Sequence, residues 1–269
     1  MTRLIMTRRL LWLLTLVMVA GVGQISAKGE YKDFSDYEKR EFVSSTGMVL
    51  PYRLLVPEEI EPGRKYPLVL FLHGAGERGS DNEAQLIHGG QMWLNPVNRA
   101  EYPAFVVAPQ CPATDYWAYP ERPSTFVADS LPDLAEPTRA IAALRELVEE
   151  YTANPQVDAG RIYVMGLSMG GMAVYDLAAR YPEVFAAAVP ICGVVKPERL
   201  AVAAQVPFRI YHGDDDSVVP VWGSRNAYRA LLQAGATVDY FEFPGVNHGS
   251  WNNAFNDRDL LPWLFSQHK

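Results

Sequence analysis

Residues 162–171 of the chain are IYVMGLSMGG, an apolar run that ends in the pattern G-x-S-x-G. Ile162–Leu167 has the composition of a buried strand, and Gly170–Arg180 has helical character. A serine at such a strand-to-helix turn adopts a strained backbone and projects its hydroxyl, and the flanking glycines let strand and helix approach closely. The pattern therefore predicts that Ser168 is a nucleophile.

Apolar runs recur on both sides of this stretch, with helix-like segments between them. Val69–Leu72 and Ala104–Val107 are continuously apolar, as expected for strands covered on both faces. This alternation predicts an α/β fold with a mainly parallel, doubly covered sheet. The predicted strands are Met48–Val56, Leu68–His73, Ala104–Pro109, Ile162–Leu167, Ala186–Ile191, Phe208–His212 and Val238–Phe243. The predicted helices are Glu136–Ala153 with Pro137 in its first turn, Gly170–Arg180, Ser224–Ala234 capped by Gly235, and Trp251–Ser266.

The base that would activate the serine is expected after the serine in the chain. Ligands of a parallel sheet bind beyond the carboxyl ends of its strands, and in this architecture the chain order is serine, acid, histidine. Four of the five histidines precede the serine, lie within a strand end or lie near the C-terminus: His73, His88, His212 and His268. His248, which follows the last predicted strand, is therefore the predicted general base.

The acid is expected between the serine and the histidine, after a strand. Asp214, Asp215 and Asp216 all satisfy this condition. One of these carboxylates should accept the imidazole Nδ1–H and stabilise the imidazolium. The residues alone do not choose among the three. The ligand spacing of an EF-hand-like cation loop is missing here.

When a serine attacks a carbonyl group, the carbonyl oxygen becomes an oxyanion that two N–H donors must stabilise. The amide of Met169 is one candidate, and the other is Ala75 or Gly76 in the loop after the strand that ends near His73. His73 itself is expected to hold that loop. Gly76, Gln110, Trp117 and Trp251 are candidate residues of an open substrate cleft, and the alternative for the aromatic rings is ordinary packing. About 15 residues separate Ile191 from Phe208, too few for a cap domain, so no separate lid is expected.

The first 27 residues have the composition of a signal peptide. Three arginines precede the apolar run Leu10–Val22, and Ser26-Ala27 offers a cleavage site. The run has 13 residues, fewer than the about 20 that span a bilayer. An uncleaved anchor is the alternative. The sequence thus predicts a secreted or periplasmic protein whose residues 28–269 form a single domain, without stable membrane insertion.

Charge and composition exclude several classes of function. The chain has 269 residues, 49% hydrophobic, and a net charge of −7. Removal of residues 1–27, which hold three arginines and no acid, would make the charge −10. An acidic chain without a basic stripe is a poor nucleic-acid binder. We see no internal repeat, which argues against a solenoid or propeller.

Four further segments carry a family resemblance. They are FLHGAGERG (71–79), APQCP (108–112), HGDDDSVVP (212–220) and GVNH (245–248), beside the serine motif. From about Tyr66 to Phe265 the chain resembles the α/β-hydrolase superfamily. Within it, the chain is similar to secreted esterases that include polyhydroxybutyrate-depolymerase-like, feruloyl-esterase-like and "predicted peptidase" members. The family pattern H-G-x-x-D-x-x-V-P selects Asp216 as the acid.

The resemblance implies a serine esterase that uses Ser168, His248 and Asp216, with no cofactor and no metal. The expected substrates are short-chain, aryl or carbohydrate-linked esters, small or polymer-linked. Alternatives are a serine peptidase of the same fold, a polyester depolymerase and a non-catalytic binding protein. The fold also bears on the two cysteines. In its usual strand order, the strands before Cys111 and Cys192 are three positions apart, roughly 14 Å, which argues against a disulfide.

Overall fold

Eight strands form one mixed sheet in the computed structural model, which describes residues 33–126, 130–133 and 135–269. The strands are β1 Glu38–Val43, β2 Val49–Leu55, β3 Tyr66–Leu72, β4 Phe105–Pro109, β5 Val157–Leu167, β6 Ala187–Ile191, β7 Phe208–Gly213 and β8 Val238–Phe243. Their order is β1-β2-β4-β3-β5-β6-β7-β8. The pairings of β1 with β2 and of β2 with β4 are antiparallel, and the others are parallel. The predicted mainly parallel sheet is confirmed.

Both faces of the central strands are buried, as their uninterrupted apolar sequences indicated. Every residue of β3 and β4 is buried. Leu68, Leu70 and Leu72 belong to the core on one face, whereas Val69 and Phe71 belong to the core on the other. The sheet therefore separates two apolar layers, and each layer needs its own helices.

Seven α-helices within the described residues provide those layers. They are α1 Gly90–Leu94, α2 Pro96–Glu101, α3 Arg139–Thr152, α4 Met169–Arg180, α5 Trp222–Gln233, α6 Trp251–Phe255 and α7 Leu260–Ser266. The core residues of α3, α4 and α5 lie in one core, and those of α6 and α7 lie in the other. The helices thus cover both faces of the sheet, and the loops lie at the ends of its parallel strands.

Two helix predictions need correction. The helix α3 begins at Arg139, because Thr138 is its N-cap and accepts a hydrogen bond from the Ile141 N–H, so Pro137 precedes the cap. The single helix predicted over 251–266 is two helices, α6 and α7. Gly235, with φ of 82°, does lie just past the end of α5, as predicted.

The segment between β6 and β7 contains a seven-residue 3-10 helix, Pro197–Ala203. No cap domain is inserted there, and the segment is buried at Leu200 and Ala203 against the core. Cys111 follows β4 and Cys192 follows β6, three positions apart in the sheet, and both are buried free thiols. The predicted signal peptide, residues 1–27, lies outside the described residues. Among the residues that are described, no helix is long and apolar enough to span a bilayer.

Candidate active site

Ser168 lies between the last residue of β5 and the first residue of α4, at the predicted turn. Its backbone has φ of 53° and ψ of −115°, a conformation that is strained for a residue with a side chain. The Ser168 N–H donates to the Ile191 carbonyl at 2.8 Å, which fixes the turn to the neighbouring strand. The predicted strained turn is confirmed.

The glycines of the motif allow backbone contacts that a side chain would prevent. A Cβ at Gly170 would lie 2.1 Å from the Leu72 carbonyl oxygen, and one at Gly166 would lie 2.6 Å from the Gly170 carbonyl oxygen. Contacts this short require backbone movement. The start of α4 is therefore pressed against β3 and β5, and this packing holds Ser168 at the sheet edge.

His248 lies in the loop after β8 and reaches the serine. Its Nε2 is 3.0 Å from Ser168 Oγ, and its Nδ1 is 2.7 Å from Asp216 Oδ2. Because an ionised carboxylate can only accept, Nδ1 carries the hydrogen and Nε2 presents its lone pair to the serine hydroxyl. This is the tautomer that a general base for Ser168 requires.

Burial distinguishes Asp216 from the two neighbouring aspartates. The sequence alone could not choose among the three. Asp214 and Asp215 are exposed, and Asp214 accepts the Gly245 N–H. Asp216 is 8% exposed, and its Oδ1 accepts the N–H groups of Val218 and Val219. Burial by itself raises the pKa of this carboxyl. Hydrogen bonds from His212, His248 and Val219 outweigh that effect and hold the pKa well below its usual range.

A second histidine contacts the same carboxylate. His212 is fully buried near the end of β7, and its Nε2 is 3.2 Å from Asp216 Oδ2. His212 was not predicted as a site residue, because it lies within a strand end. The signal that could have found it is its position four residues before Asp216, where a strand-end side chain can meet the following loop.

The loops that carry Asp216 and His248 meet backbone to backbone. A Cβ at Gly213 would lie 2.1 Å from the Val246 carbonyl oxygen. The Asp215 N–H donates to that same oxygen at 3.2 Å, and Asn247 Oδ1 accepts the Ser217 N–H. Main-chain contact and side-chain hydrogen bonds thus hold these two loops together.

The candidate oxyanion donors lie at two chain segments near the serine. Met169 is the first residue of α4, so its N–H has no acceptor within the helix. Ala75 is the first residue of a 3-10 turn that follows β3. Ala75 and Gly76 both line the cavity beside Ser168.

This cavity has a volume of about 210 Å³, and Ser168 and His248 line it. Residues from six separate segments line it, among them Ala75, Gly76, Tyr116, Ser168, His248 and Trp251. The Trp251 ring meets the His248 ring edge to face, with centroids 5.3 Å apart. The cleft therefore has aromatic walls in Tyr116 and Trp251.

Two residues predicted for the cleft lie elsewhere. Gln110 is fully buried, and its amide accepts the Asn82 N–H and donates to the Glu77 carbonyl. Trp117 is also fully buried, and its Nε1–H donates to the His73 carbonyl at 3.3 Å. Both residues support the loops behind the cavity, because a side-chain amide or indole N–H inside a protein needs a partner.

His73 holds its loop, as predicted. Its Nε2 accepts the Cys111 N–H at 2.9 Å, which leaves Nδ1–H to donate to the Gly74 carbonyl. Burial lowers the pKa of His73 to about 4, so the ring is neutral at pH 7.

One group of described side chains offers metal-ligand atoms close together, namely Cys192, Asp216 and His248. Asp216 and His248 are already hydrogen-bonded to each other. Burial raises the pKa of the Cys192 thiol, which disfavours the thiolate that binds metals. The chemistry of this donor set fits proton transfer better than metal binding.

Comparison with known proteins gives consistent results. Residues 57–259 match the phospholipase/carboxylesterase family. A crystal structure of a thermostable esterase superimposes with a TM-score of 0.79 at 35% identity, covering 87% of this chain and 64% of that one.

Two curated relatives have lower identity. A probable SOBER1-like carboxylesterase of Arabidopsis thaliana is 26% identical over 73% of this chain and 77% of its own length. Poly(3-hydroxyalkanoate) depolymerase C of Paucimonas lemoignei is 28% identical over 58% of this chain, which spans only 34% of the depolymerase. Since the family match covers most of the chain and the fold agrees, the chain belongs to the phospholipase/carboxylesterase family of α/β-hydrolases.

Proposed function

We propose that this protein is a serine carboxylic-ester hydrolase that works through an acyl-serine intermediate. The observation that carries the proposal is the unbroken series of contacts from Ser168 Oγ through His248 to Asp216, at 3.0 and 2.7 Å, beside a cavity. The distances lie within hydrogen-bond reach, and the tautomer leaves His248 Nε2 free to accept the serine proton.

In the first half of the proposed reaction, Ser168 Oγ attacks the ester carbonyl carbon and its proton passes to His248 Nε2. Asp216 stabilises the resulting imidazolium through Nδ1–H. The tetrahedral intermediate collapses, the bond to the alcohol oxygen breaks, and His248 returns the proton to the departing alkoxide. Water then attacks the acyl-serine with the same proton transfers, and the carboxylic acid product is released.

The N–H groups of Met169 and Ala75 are the proposed oxyanion donors. Met169 starts a helix of 12 residues, whose N-terminal dipole favours negative charge at this place. Each proton in the proposed steps is carried by a residue of the chain, so we expect no cofactor and no metal.

The size of the cavity supports small acyl or alcohol groups. A volume of about 210 Å³ lies below the range of about 300–1,000 Å³ that suits drug-sized ligands. Short-chain and aryl esters are the proposed substrates, and carbohydrate-linked esters are included because the larger group can stay outside the cavity.

A polyester depolymerase is the second candidate, favoured by the likeness to a poly(3-hydroxyalkanoate) depolymerase. A serine peptidase and a non-catalytic binding protein are further alternatives. A panel of methyl ferulate, acetylated xylan, polyhydroxybutyrate film and a peptide library separates these possibilities.

The proposal is tested with p-nitrophenyl acetate and butyrate. The Ser168→Ala variant should lose about 10⁵-fold or more of kcat, because no other group supplies the nucleophile. A fluorophosphonate probe should label the wild type and not the variant. Equal hydrolysis by both proteins would exclude Ser168 as the nucleophile, and a wild type that hydrolyses no ester and takes no label would favour a binding protein.

We also propose that residues 1–27 direct export and that residues 28–269 form a single catalytic domain. The support is the arginine-rich start, the 13-residue apolar run and the small residues at 26 and 27. The N-terminal mass of protein recovered outside the cytoplasm tests this proposal. A mass that includes residue 1 would contradict cleavage.

A further inference from the structure

His212 has a partner on each ring nitrogen, and the partners fix its tautomer. Its Nε2 is 2.9 Å from the Val219 carbonyl oxygen, and its Nδ1 is 2.7 Å from Ser224 Oγ. A carbonyl can only accept, so Nε2 carries the hydrogen. In the neutral ring Nδ1 then accepts from the Ser224 hydroxyl, whose other neighbour, the Gly193 carbonyl, is more distant at 3.4 Å.

The same Nε2–H also faces the carboxylate of the site. It lies 3.2 Å from Asp216 Oδ2, and both side chains are fully buried. Oδ2 is the oxygen that accepts the His248 Nδ1–H at 2.7 Å. Oδ2 therefore lies beside two imidazole N–H groups. It accepts the hydrogen bond of His248, and the His212 Nε2–H, whose hydrogen bond goes to the Val219 carbonyl, lies against it with an N to O distance of 3.2 Å. Oδ1 accepts two main-chain N–H groups.

Because these groups are buried, each hydrogen bond constrains the carboxylate strongly. The main-chain donors from Val218 and Val219 hold Oδ1 only. Without a donor from His212, rotation about the Cβ–Cγ bond of Asp216 would be opposed at Oδ2 by His248 alone. That residue must itself move a proton during the reaction.

We propose that His212 is a positioning residue: its Nε2–H holds Asp216 Oδ2 at the point from which that oxygen orients His248. The proposal rests on the proposed esterase function. His212 touches neither the serine nor the cavity, so it acts through Asp216.

The electrostatic surroundings allow a clear test. The register partner of His212 on β8 is Glu242, whose carboxylate is bound by Arg225 at 2.6 and 2.8 Å. The groups that face the His248 imidazole are Asp216, Ser168 and the Trp251 ring. The Cys192 Sγ lies within 4.8 Å of a ring nitrogen and donates to the His248 carbonyl. Loss of the His212 donor would leave more negative charge on Asp216 and would favour the His248 imidazolium.

Two amide variants form a matched pair. Glutamine places its amide nitrogen about where Nε2 lies in histidine, whereas asparagine places its nitrogen about where Nδ1 lies. His212→Gln therefore keeps a donor for Asp216, and His212→Asn removes it. Both variants change the contact with Ser224 and the packing around residue 212. Thermal unfolding therefore measures how much of each variant is folded, and fluorophosphonate titration measures the fraction that is labelled.

We expect His212→Asn to lose about 10- to 100-fold in kcat on p-nitrophenyl acetate with KM within about twofold, as for a displaced catalytic group. The acid limb of its kcat/KM profile should move to higher pH by roughly 0.5–1 unit. His212→Gln should keep kcat within about threefold and should retain the wild-type profile.

Three outcomes would overturn the inference: equal losses in both variants, no loss in His212→Asn, or a loss without movement of the acid limb. Each would give His212 a packing role only. A wild type without Ser168-dependent ester hydrolysis would instead contradict the proposed function, so the two failures are distinguishable.

Discussion

His73 and His212 have similar positions in the fold. His73 directly follows β3 and His212 lies near the end of β7, and both rings are buried with both nitrogens hydrogen-bonded. Their tautomers are opposite. His73 donates from Nδ1 and accepts at Nε2, whereas His212 accepts at Nδ1 and donates from Nε2.

The partners differ in kind as well. The ring nitrogens of His73 form hydrogen bonds with main-chain groups, those of Gly74 and Cys111, and so join the loop after β3 to the loop after β4. His212 contacts the side-chain carboxylate that accepts the His248 Nδ1–H. Residue type, burial and strand position therefore do not distinguish these two histidines. The groups that their N–H hydrogens contact do distinguish them.

Among the changes that bear on these two histidines, Asp216→Asn should have the largest effect, because it removes the carboxylate that both His212 and His248 contact. Its amide cannot accept at every position where the carboxylate does, so His248 should adopt the wrong tautomer. We expect kcat to fall by about 10⁴-fold, the size usual for this replacement in serine-histidine-aspartate triads, with KM little changed. Steady-state hydrolysis of p-nitrophenyl acetate measures this. A loss below about tenfold would mean that Asp216 does not orient the base.

The His73 side of the comparison predicts a change in stability with pH. The pKa of His73 is lowered by burial from 6.5 to about 4. Between these values the unfolded chain binds a proton that the folded chain does not. The stabilisation is therefore complete above pH 6.5 and is lost as the pH falls toward 4. We expect the free energy of unfolding to be about 2 kcal/mol lower at pH 5 than at pH 7 from this group.

Urea unfolding at the two pH values measures the effect, with His73→Gln as the control. Glutamine can offer an oxygen to the Cys111 N–H, and it does not titrate in this range. The pH dependence of the variant should be smaller by about 2 kcal/mol. If both proteins show the same dependence, the protons are bound elsewhere.

The smallest expected effect is that of Trp117→Phe, which removes the indole N–H that binds the His73 carbonyl. The lost hydrogen bond and the small void should lower the free energy of unfolding by about 1–2 kcal/mol. Because Trp117 is buried outside the cavity, kcat and KM should stay within about twofold. A clear rise in KM would return Trp117 to the substrate cleft.

Much of the fold was predictable because its strands are buried on both faces. The strand predicted over Val238–Phe243 has those bounds, and the others differ by a few residues. The strand β1 was missed because its sequence, EKREFV, is mostly charged and exposed, as suits the edge of a sheet. The break between α6 and α7 had a signal that was overlooked, since Pro262 cannot donate within a continuous helix.

The site was predictable where chain order and turn chemistry constrain it. The structure brings Ser168 and His248 together, as the turn motif around the serine and the chain order of the histidine predicted. Asp216 needed the family resemblance, because three adjacent aspartates differ only in burial, which depends on the fold. Gln110 and Trp117 were misplaced for a related reason, since a polar or aromatic residue in a loop can face either the cleft or the core.

The main-chain contact at Gly213 has a consequence for how new substrate preferences can arise. The loop that carries Asp216 and the loop that carries His248 touch there without an intervening side chain, so their spacing does not depend on residues such as Tyr116 that line the cavity. Variation at wall residues outside these two loops can therefore reshape the cavity while Asp216 and His248 keep their spacing. Gene libraries confined to such positions, with Gly213 retained, would exploit this separation.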